Sequence, residues 1–343
     1  MGAKVRLGII GCGAVVESYH MPATTKIKEV EVVALVDKQL ARAADLAASY
    51  NVPCFTQDYR ELFGHVDAVL IALPHALHAS VSTAFLERGI HVLCEKPMAT
   101  TVREAVRMLE AARLTQAKLA IGMVRRFFDN ARYIKRGLNA GLFGPVERFE
   151  AEDSVSFDGA DIPEFYLRAD EPGAGVLFDT GSHLLDMLLW WFEDVQQVNY
   201  WDDNCGGVEA NCYLELEMKS GVRGTVELSR MRRLNNVIRI LTQTSVIEVP
   251  TLKMQSLRLK DCQLDLVMDI SIENPKANSF DNPLEVCFAR QMQDFVNAIL
   301  QDRSPTAPGE DVLRSIRLIE TCQAVRQPLA KPEWECFPEE EAA

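Results

Sequence analysis

Over its first third the chain repeats one texture: a short run of Val, Ile and Leu, then a stretch of helical periodicity. The apolar runs at 5–10, 32–36, 68–73, 91–94 and 119–122 read as strands. The segments at 40–50, 81–87 and 102–114 read as amphipathic helices. Strands that are apolar throughout, rather than alternating, are buried on both faces, and that requires a parallel sheet with helices above and below. The expected class is therefore a doubly wound α/β domain. After Gly122 the texture changes. A helix at 131–139 stops at Gly141, and strands at 210–218, 224–230, 237–241 and 245–249 follow, the first two joined by a Lys219-Ser220-Gly221 turn. Helical segments at 181–192, 284–300 and 311–325 bracket them, as in an α+β domain. The 343 residues suffice for these two units, which divide the chain into 1–123 and 124–343.

Charge and cysteine usage narrow the partners. Thirty-six basic and 49 acidic side chains give a net charge of −13, which repels phosphate backbones and speaks against nucleic acid. The most apolar run, 184–192, is interrupted by Asp186 and falls far short of the ~20 residues that span a membrane. The strand starting at Val5 leaves no room for a signal peptide. Nine scattered cysteines, none in a C-x-x-C pair, suit reduced thiols in a cytoplasm and suggest no zinc site. No metal is expected.

Three clusters carry chemistry. The first is Gly11-Cys12-Gly13-Ala14-Val15-Val16, between the first strand and a helical stretch. In such a G-x-G turn Gly11 allows the tight bend and Gly13 lets the backbone approach a pyrophosphate. The amides of Ala14 and Val15 then face the phosphates from a helix N-terminus. Asp37 ends the second strand, where a carboxylate hydrogen-bonds ribose hydroxyls and repels a 2′-phosphate, so NAD is the expected cofactor. Lys38 beside it leaves NADP open. The 1–123 unit thus reads as dinucleotide-binding, and 124–343 as the substrate-binding and oligomerisation domain.

The second cluster ends two more strands: Pro74, His75 and His78 after one, Glu95-Lys96-Pro97 after the next. Ligands of open α/β sheets bind at this carboxyl edge, so these residues are expected beside the cofactor. The third is Asp179 with His183, four apart and on one face of a helical turn. A carboxylate there fixes the tautomer of an imidazole that acts as acid or base.

Together these residues resemble the Gfo/Idh/MocA family, the glucose–fructose oxidoreductase and inositol dehydrogenase group. The likeness rests on Gly11 to Val16, Pro74 with His78, Gly89 to Pro97, Val124-Arg125-Arg126-Phe127, Asp179 to His183, and residues 305–319. The chain departs from it at His75 and Val124, where Asn is commoner. The resemblance implies a Rossmann domain, then a domain with a large, mostly antiparallel open sheet, with the active site between them. It also implies Lys96, Asp179 and His183 as catalytic residues, and a homodimer or homotetramer joined through the sheet. Apolar Val226, Leu228 and Ile238 are the expected contacts on that face.

The chemistry implied is hydride transfer between nicotinamide and a secondary alcohol or ketone of a sugar, nucleotide sugar or cyclitol. His183 is the expected acid/base and Lys96 the anchor of the reacting oxygen, with Lys96 as base the alternative. Arg126 and Arg168 are candidates for binding substrate hydroxyls or a phosphate, or else ion-pair partners of the many carboxylates. Two other functions compete: a non-catalytic dinucleotide-sensing regulator of the same fold, and an enzyme like dihydrodiol dehydrogenase or biliverdin reductase.

Overall fold

The computed structural model describes residues 4–155, 175–204, 208–273 and 282–329. Its first sheet consists of β1 (Val5–Ile10), β2 (Val30–Val36), β3 (Cys54–Thr56), β4 (Ala68–Ile71), β5 (His91–Cys94) and β6 (Leu119–Ile121). All neighbours are parallel and the order is β3-β2-β1-β4-β5-β6, so the expected doubly wound Rossmann sheet is present. The order reverses between β1 and β4, and ligands of such sheets sit outside that switch point. Every residue of β4 is buried, as its unbroken Ala-Val-Leu-Ile run requires.

A π-helical turn (Val16–His20) leads into α1 (Met21–Thr24), and α2 (Leu40–Tyr50), α3 (His75–Leu86) and α4 (Val102–Thr115) are the further crossovers. α3 starts at His75, directly after Pro74 and six residues before the helical periodicity becomes visible in the sequence. α4 opens on Thr101, whose side chain accepts from the Glu104 amide in the Thr-x-x-Glu pattern of a capping box.

A short 3₁₀ turn (Val124–Phe127) and α5 (Asp129–Asn139) lead into the second half. There β7 (Val146–Ser154), β8 (Val195–Asp202), β9 (Asn211–Met218), β10 (Arg223–Ser229), β11 (Val237–Thr242), β12 (Ser245–Pro250), β13 (Ser256–Asp261), β14 (Leu266–Ser271) and β15 (Arg326–Pro328) form one nine-stranded sheet. It is mostly antiparallel; β7–β10 and β8–β15 are the parallel pairs. α6 (Val176–Phe192) lies across it, with Leu184, Leu185, Leu188 and Trp191 buried against Phe149, Leu214, Val226, Leu228 and Ile238.

That packing corrects one expectation. Val226, Leu228 and Ile238 face α6 and are at most 2% exposed, so they cannot cover an open face. Strand alternation turns charged residues to the other side, where Arg223 pairs with Glu217, Arg239 with Glu152 and Glu248, and Arg258 with Asp269. The uncovered face is polar.

The chain does not stay in its second half. α7 (Pro283–Leu300) returns to the first sheet, where Met292, Phe295 and Val296 join a core with Val5, Leu7 and Ile9 of β1. α8 (Gly309–Ala324) sets Val312, Leu313 and Ile316 against Leu119 and Ile121 of β6. The two sheets are thus tied by buried apolar contacts as well as by the 3₁₀ turn. No helix among the described residues is long and apolar enough to cross a membrane.

Candidate active site

The site begins at the first β-to-helix turn. Gly11 has φ +93°, and a Cβ there would lie 2.1 Å from the Ala72 carbonyl oxygen, so only glycine fits. Gly11→Ala is expected to abolish the fold or cofactor binding, read by calorimetry with NAD; an intact protein with unchanged affinity would contradict this. Gly13 is different: nothing lies within 4 Å of where its Cβ would be, so the space in front of the turn is free for a ligand. Ala14 is exposed and Val15 half-buried at the start of the helical stretch, where amides have no intrahelical partner. Val16, at the position of the usual third glycine, is fully buried, and the helix widens there into its π turn, with the Met21 amide donating to the Val16 carbonyl. A dinucleotide phosphate fits this cradle.

Asp37 is fastened to the same turn. Its carboxylate accepts from the Cys12 amide at 2.9 Å and from the Gln39 amide at 2.8 Å. Lys38 is exposed beside it. Arg42, which sequence reasoning passed over, lies 3.8 Å from Asp37 on the first turn of α2.

At the ends of β4 and β5 the predicted residues converge, with changed roles. Lys96 Nζ donates to Asp179 Oδ1 at 2.6 Å, joining the first sheet to α6. The second Asp179 oxygen lies 3.3 Å from Arg230 Nη2, at the end of β10. Burial alone would raise the Asp179 pKa, but Lys96 and then Arg230 outweigh it and hold the carboxyl below its ordinary value. Asp179 therefore orients Lys96, and the expected Asp179–His183 hydrogen bond is absent, because both carboxylate oxygens are engaged by cations.

His183 sits one turn along α6, and its Nδ1 is shut off from solvent with no hydrogen-bond partner among the described residues. Burial, then Lys96 and Arg125, push its pKa well below the usual value, so the ring is neutral at neutral pH. His75 is likewise pushed down to about 4, by burial, Lys96 and His78.

Both depressions act on stability in one direction. A histidine whose folded pKa lies below the unfolded value of ~6.5 binds more protons when unfolded, so stability is lost as pH falls below about 6.5. The urea midpoint should accordingly be lower at pH 5 than at pH 7.5; an equal or higher midpoint at pH 5 would contradict the neutral assignment.

Two other expected contacts are revised. Glu95 turns inward: Oε1 lies 2.7 Å from His20 Nε2, Oε2 accepts the Lys96 amide, and a Cβ on Gly122 would collide with the carboxylate at 2.8 Å. It supports the β5 end from beneath and is not free for cofactor. Arg126 is 1% exposed, pairs in bidentate fashion with Asp186 and reaches Asp311 and the Thr306 carbonyl. It is an interior tie between α6 and α8 and cannot bind substrate. Its neighbour Arg125, positioned by the buried Asp153 at the end of β7, is the arginine that acts on His183. Arg168 lies outside the described residues. Arg125 and Arg230 were overlooked because a lone arginine carries no spacing signal; the Val124-Arg125-Arg126-Phe127 and Arg230-to-Arg233 clusters were the only hints.

Among the described residues no group of three or more His, Cys, Asp or Glu side chains is placed to hold a metal ion. What the site offers is a glycine turn with open space before it, a carboxylate at the end of β2, and a Lys–Asp pair with a neutral histidine.

Both halves of the chain match known families. Residues 5–123 match the oxidoreductase family with an NAD-binding Rossmann fold, and residues 131–248 match the GFO/IDH/MocA C-terminal domain. D-glucoside 3-dehydrogenase of Escherichia coli is 28% identical over 61% of this chain and 61% of its own length. The scyllo-inositol 2-dehydrogenase (NADP(+)) IolU of Bacillus subtilis is 32% identical over 43% of this chain and 44% of its own. The chain thus spans less than two thirds of these relatives. An NAD binding oxidoreductase from Klebsiella pneumoniae, 21% identical, superposes with a TM-score of 0.85 over 94% of this chain and 97% of that one, which establishes the shared fold. The two matching domains, in order and on the fold described, place this chain in the Gfo/Idh/MocA family of oxidoreductases with an NAD-binding Rossmann domain.

Proposed function

We propose that this chain is a nicotinamide-dependent oxidoreductase that interconverts a secondary alcohol and a ketone on a sugar or cyclitol. The observation that carries the proposal is the 2.6 Å Lys96–Asp179 contact, which brings a β5-end lysine from the dinucleotide domain against the helix that bears His183. A dinucleotide sensor has no use for a proton-accepting ring beside a lysine at that edge. The D-glucoside and scyllo-inositol dehydrogenases among the relatives support the substrate class.

Gly11, Gly13 and the amides of Ala14 and Val15 would hold the pyrophosphate, and Asp37 the adenosine ribose. The bound nicotinamide supplies the hydride acceptor or donor. The remaining work falls to the chain's own side chains. Lys96, aimed by the Asp179 carboxylate and backbone carbonyl, presents its remaining N–H donor to the reacting oxygen and stabilises the negative charge that develops there. His183, neutral, accepts the hydroxyl proton in the oxidation direction and returns it in reduction. Arg125 and Arg230 border this centre and are the candidates for holding further substrate oxygens.

Incubating the protein with NAD and a panel of polyols and sugars, while following reduced-nicotinamide absorbance, tests the proposal. Cofactor preference is a separate test. With its carboxylate tied to the Cys12 and Gln39 amides, Asp37 cannot swing away from a 2′-phosphate, so NAD should bind at least tenfold more tightly than NADP, an effect of about 1.4 kcal/mol. Titration of both by intrinsic fluorescence decides it, and tighter NADP binding would mean that Lys38 and Arg42 outweigh Asp37. Assembly into homo-oligomers is also part of the proposal, through the polar face of the nine-stranded sheet.

A further inference from the structure

His78, on the first turns of α3, is 1% exposed, and both its ring nitrogens face acceptors. Nδ1 lies 2.7 Å from the Pro97 carbonyl oxygen and Nε2 lies 2.7 Å from the Leu73 carbonyl oxygen. Carbonyl oxygens only accept, whereas a neutral imidazole has one N–H and one lone pair. In either neutral tautomer a nitrogen lone pair would meet an oxygen lone pair at 2.7 Å, in an interior where an unmade hydrogen bond is costly. Only the imidazolium, with two N–H groups, satisfies both contacts.

The two acceptors are informative in themselves. Leu73 immediately precedes Pro74 and His75 at the end of β4, and Pro97 immediately follows Lys96 at the end of β5. We propose that His78 is a positioning residue protonated at neutral pH: a cationic cross-link between the β4 and β5 ends that fixes the backbone carrying Lys96. This role rests on the reading of Lys96 above, but the charge state does not.

The titratable neighbours agree. The His75 ring is 5.8 Å away, centroid to centroid, and Cys94 of β5 is adjacent. Burial disfavours the charged ring, yet Cys94 and the carbonyls of Pro97 and Leu73 outweigh it and bring His78 up to about 9. His75 is driven the other way, to about 4, in part by the His78 charge. Two histidines one turn apart thus hold different protonation states at neutral pH.

The test is ¹⁵N-resolved NMR of the histidine rings in the full chain, with His78→Gln as the variant. In the wild type, two protonated ring nitrogens are expected for His78 at neutral pH, with deprotonation only near pH 9. A single protonated nitrogen at neutral pH would overturn the proposal whatever the variant does. A glutamine side chain cannot carry the charge, so in the folded variant His75 should titrate about one pH unit higher than in the wild type. An unmoved His75 in a folded variant would overturn it too. On the substrate found for the wild type, the variant should lose about ten- to a hundredfold in kcat while its Kd for NAD stays within about twofold. Parallel losses in both would show that His78 merely supports the fold. If no substrate is found, the function proposed above fails and the ring protonation still stands or falls by NMR.

Discussion

Replacing Lys96 by alanine is expected to lower kcat by about a hundred- to a thousandfold, the loss typical when one donor to a developing oxyanion is removed. Kd for NAD should stay within a few-fold, because the phosphate cradle and Asp37 lie on other loops of the sheet. The Lys96–Asp179 contact makes a sharper claim. If Asp179 acts by aiming Lys96, Asp179→Asn should slow turnover, and the Lys96→Ala and Asp179→Asn losses should be strongly sub-additive. His183→Ala, removing a group that Asp179 does not touch, should lower kcat by about 10²–10⁴ and combine with Asp179→Asn closer to additively. Steady-state kinetics of the single and double variants distinguish the pairings. Sub-additivity between Asp179 and His183, with additivity between Asp179 and Lys96, would restore the orienting role that the Asp-x-x-x-His spacing suggests.

A large, graded effect on stability is expected at Arg126. Its guanidinium is buried, is bidentate with Asp186, reaches Asp311 and the Thr306 carbonyl, and lies 5.5 Å from the centre of the Trp190 ring. Truncation to alanine leaves Asp186, itself 2% exposed, without a cation, and breaking a buried pair from one side costs about 3–5 kcal/mol. For a chain of this size that corresponds to about four to seven degrees in Tm. Because Arg126 ties the strand-end turn to both α6 and α8, the loss should appear in the main unfolding transition and not as a separate early one. Replacing Arg126 and Asp186 together with methionine and leucine should recover much of it, since a buried pair replaced by apolar residues is often neutral. A Tm for Arg126→Ala within about two degrees of the wild type would show the network to be dispensable.

The two halves of the molecule differed in how much of them the sequence disclosed. The parallel strands were legible because burial on both faces leaves an unbroken apolar run, as in Ala68–Ile71. The sheet of the second half alternates, so β8, with a Val-Gln-Gln-Val-Asn-Tyr-Trp-Asp sequence, carries a period that turns and loops also imitate. β15 forms only because Arg326–Pro328 docks beside β8, a long-range event that no local pattern encodes. The apolar set on β10 and β11 was visible, but a sequence does not say which face α6 covers, and the open side was misassigned.

The site shows the same division. The strand-end positions of Gly11, Asp37 and Lys96 follow from the chain's own order of elements, and their convergence was readable. Pairings across the molecule were not. Asp179 four residues before His183 suggests a local bond, yet Lys96, 83 residues away in sequence, captures the carboxylate. Arg125 and Arg126 are adjacent, and only the direction of each side chain in the 3₁₀ turn makes one border the site and the other lock the interior.

The most direct test is a single assay: reduced-nicotinamide absorbance on mixing the protein and NAD with the polyol and sugar panel, run in parallel with Lys96→Ala. The expected result is cofactor reduction with at least one secondary alcohol in the wild type, falling by about two orders of magnitude or more in the variant, with NAD bound equally by both. Tight NAD binding without reduction by any member of the panel, or undiminished turnover in Lys96→Ala, would contradict the assignment of this site to alcohol–ketone hydride transfer.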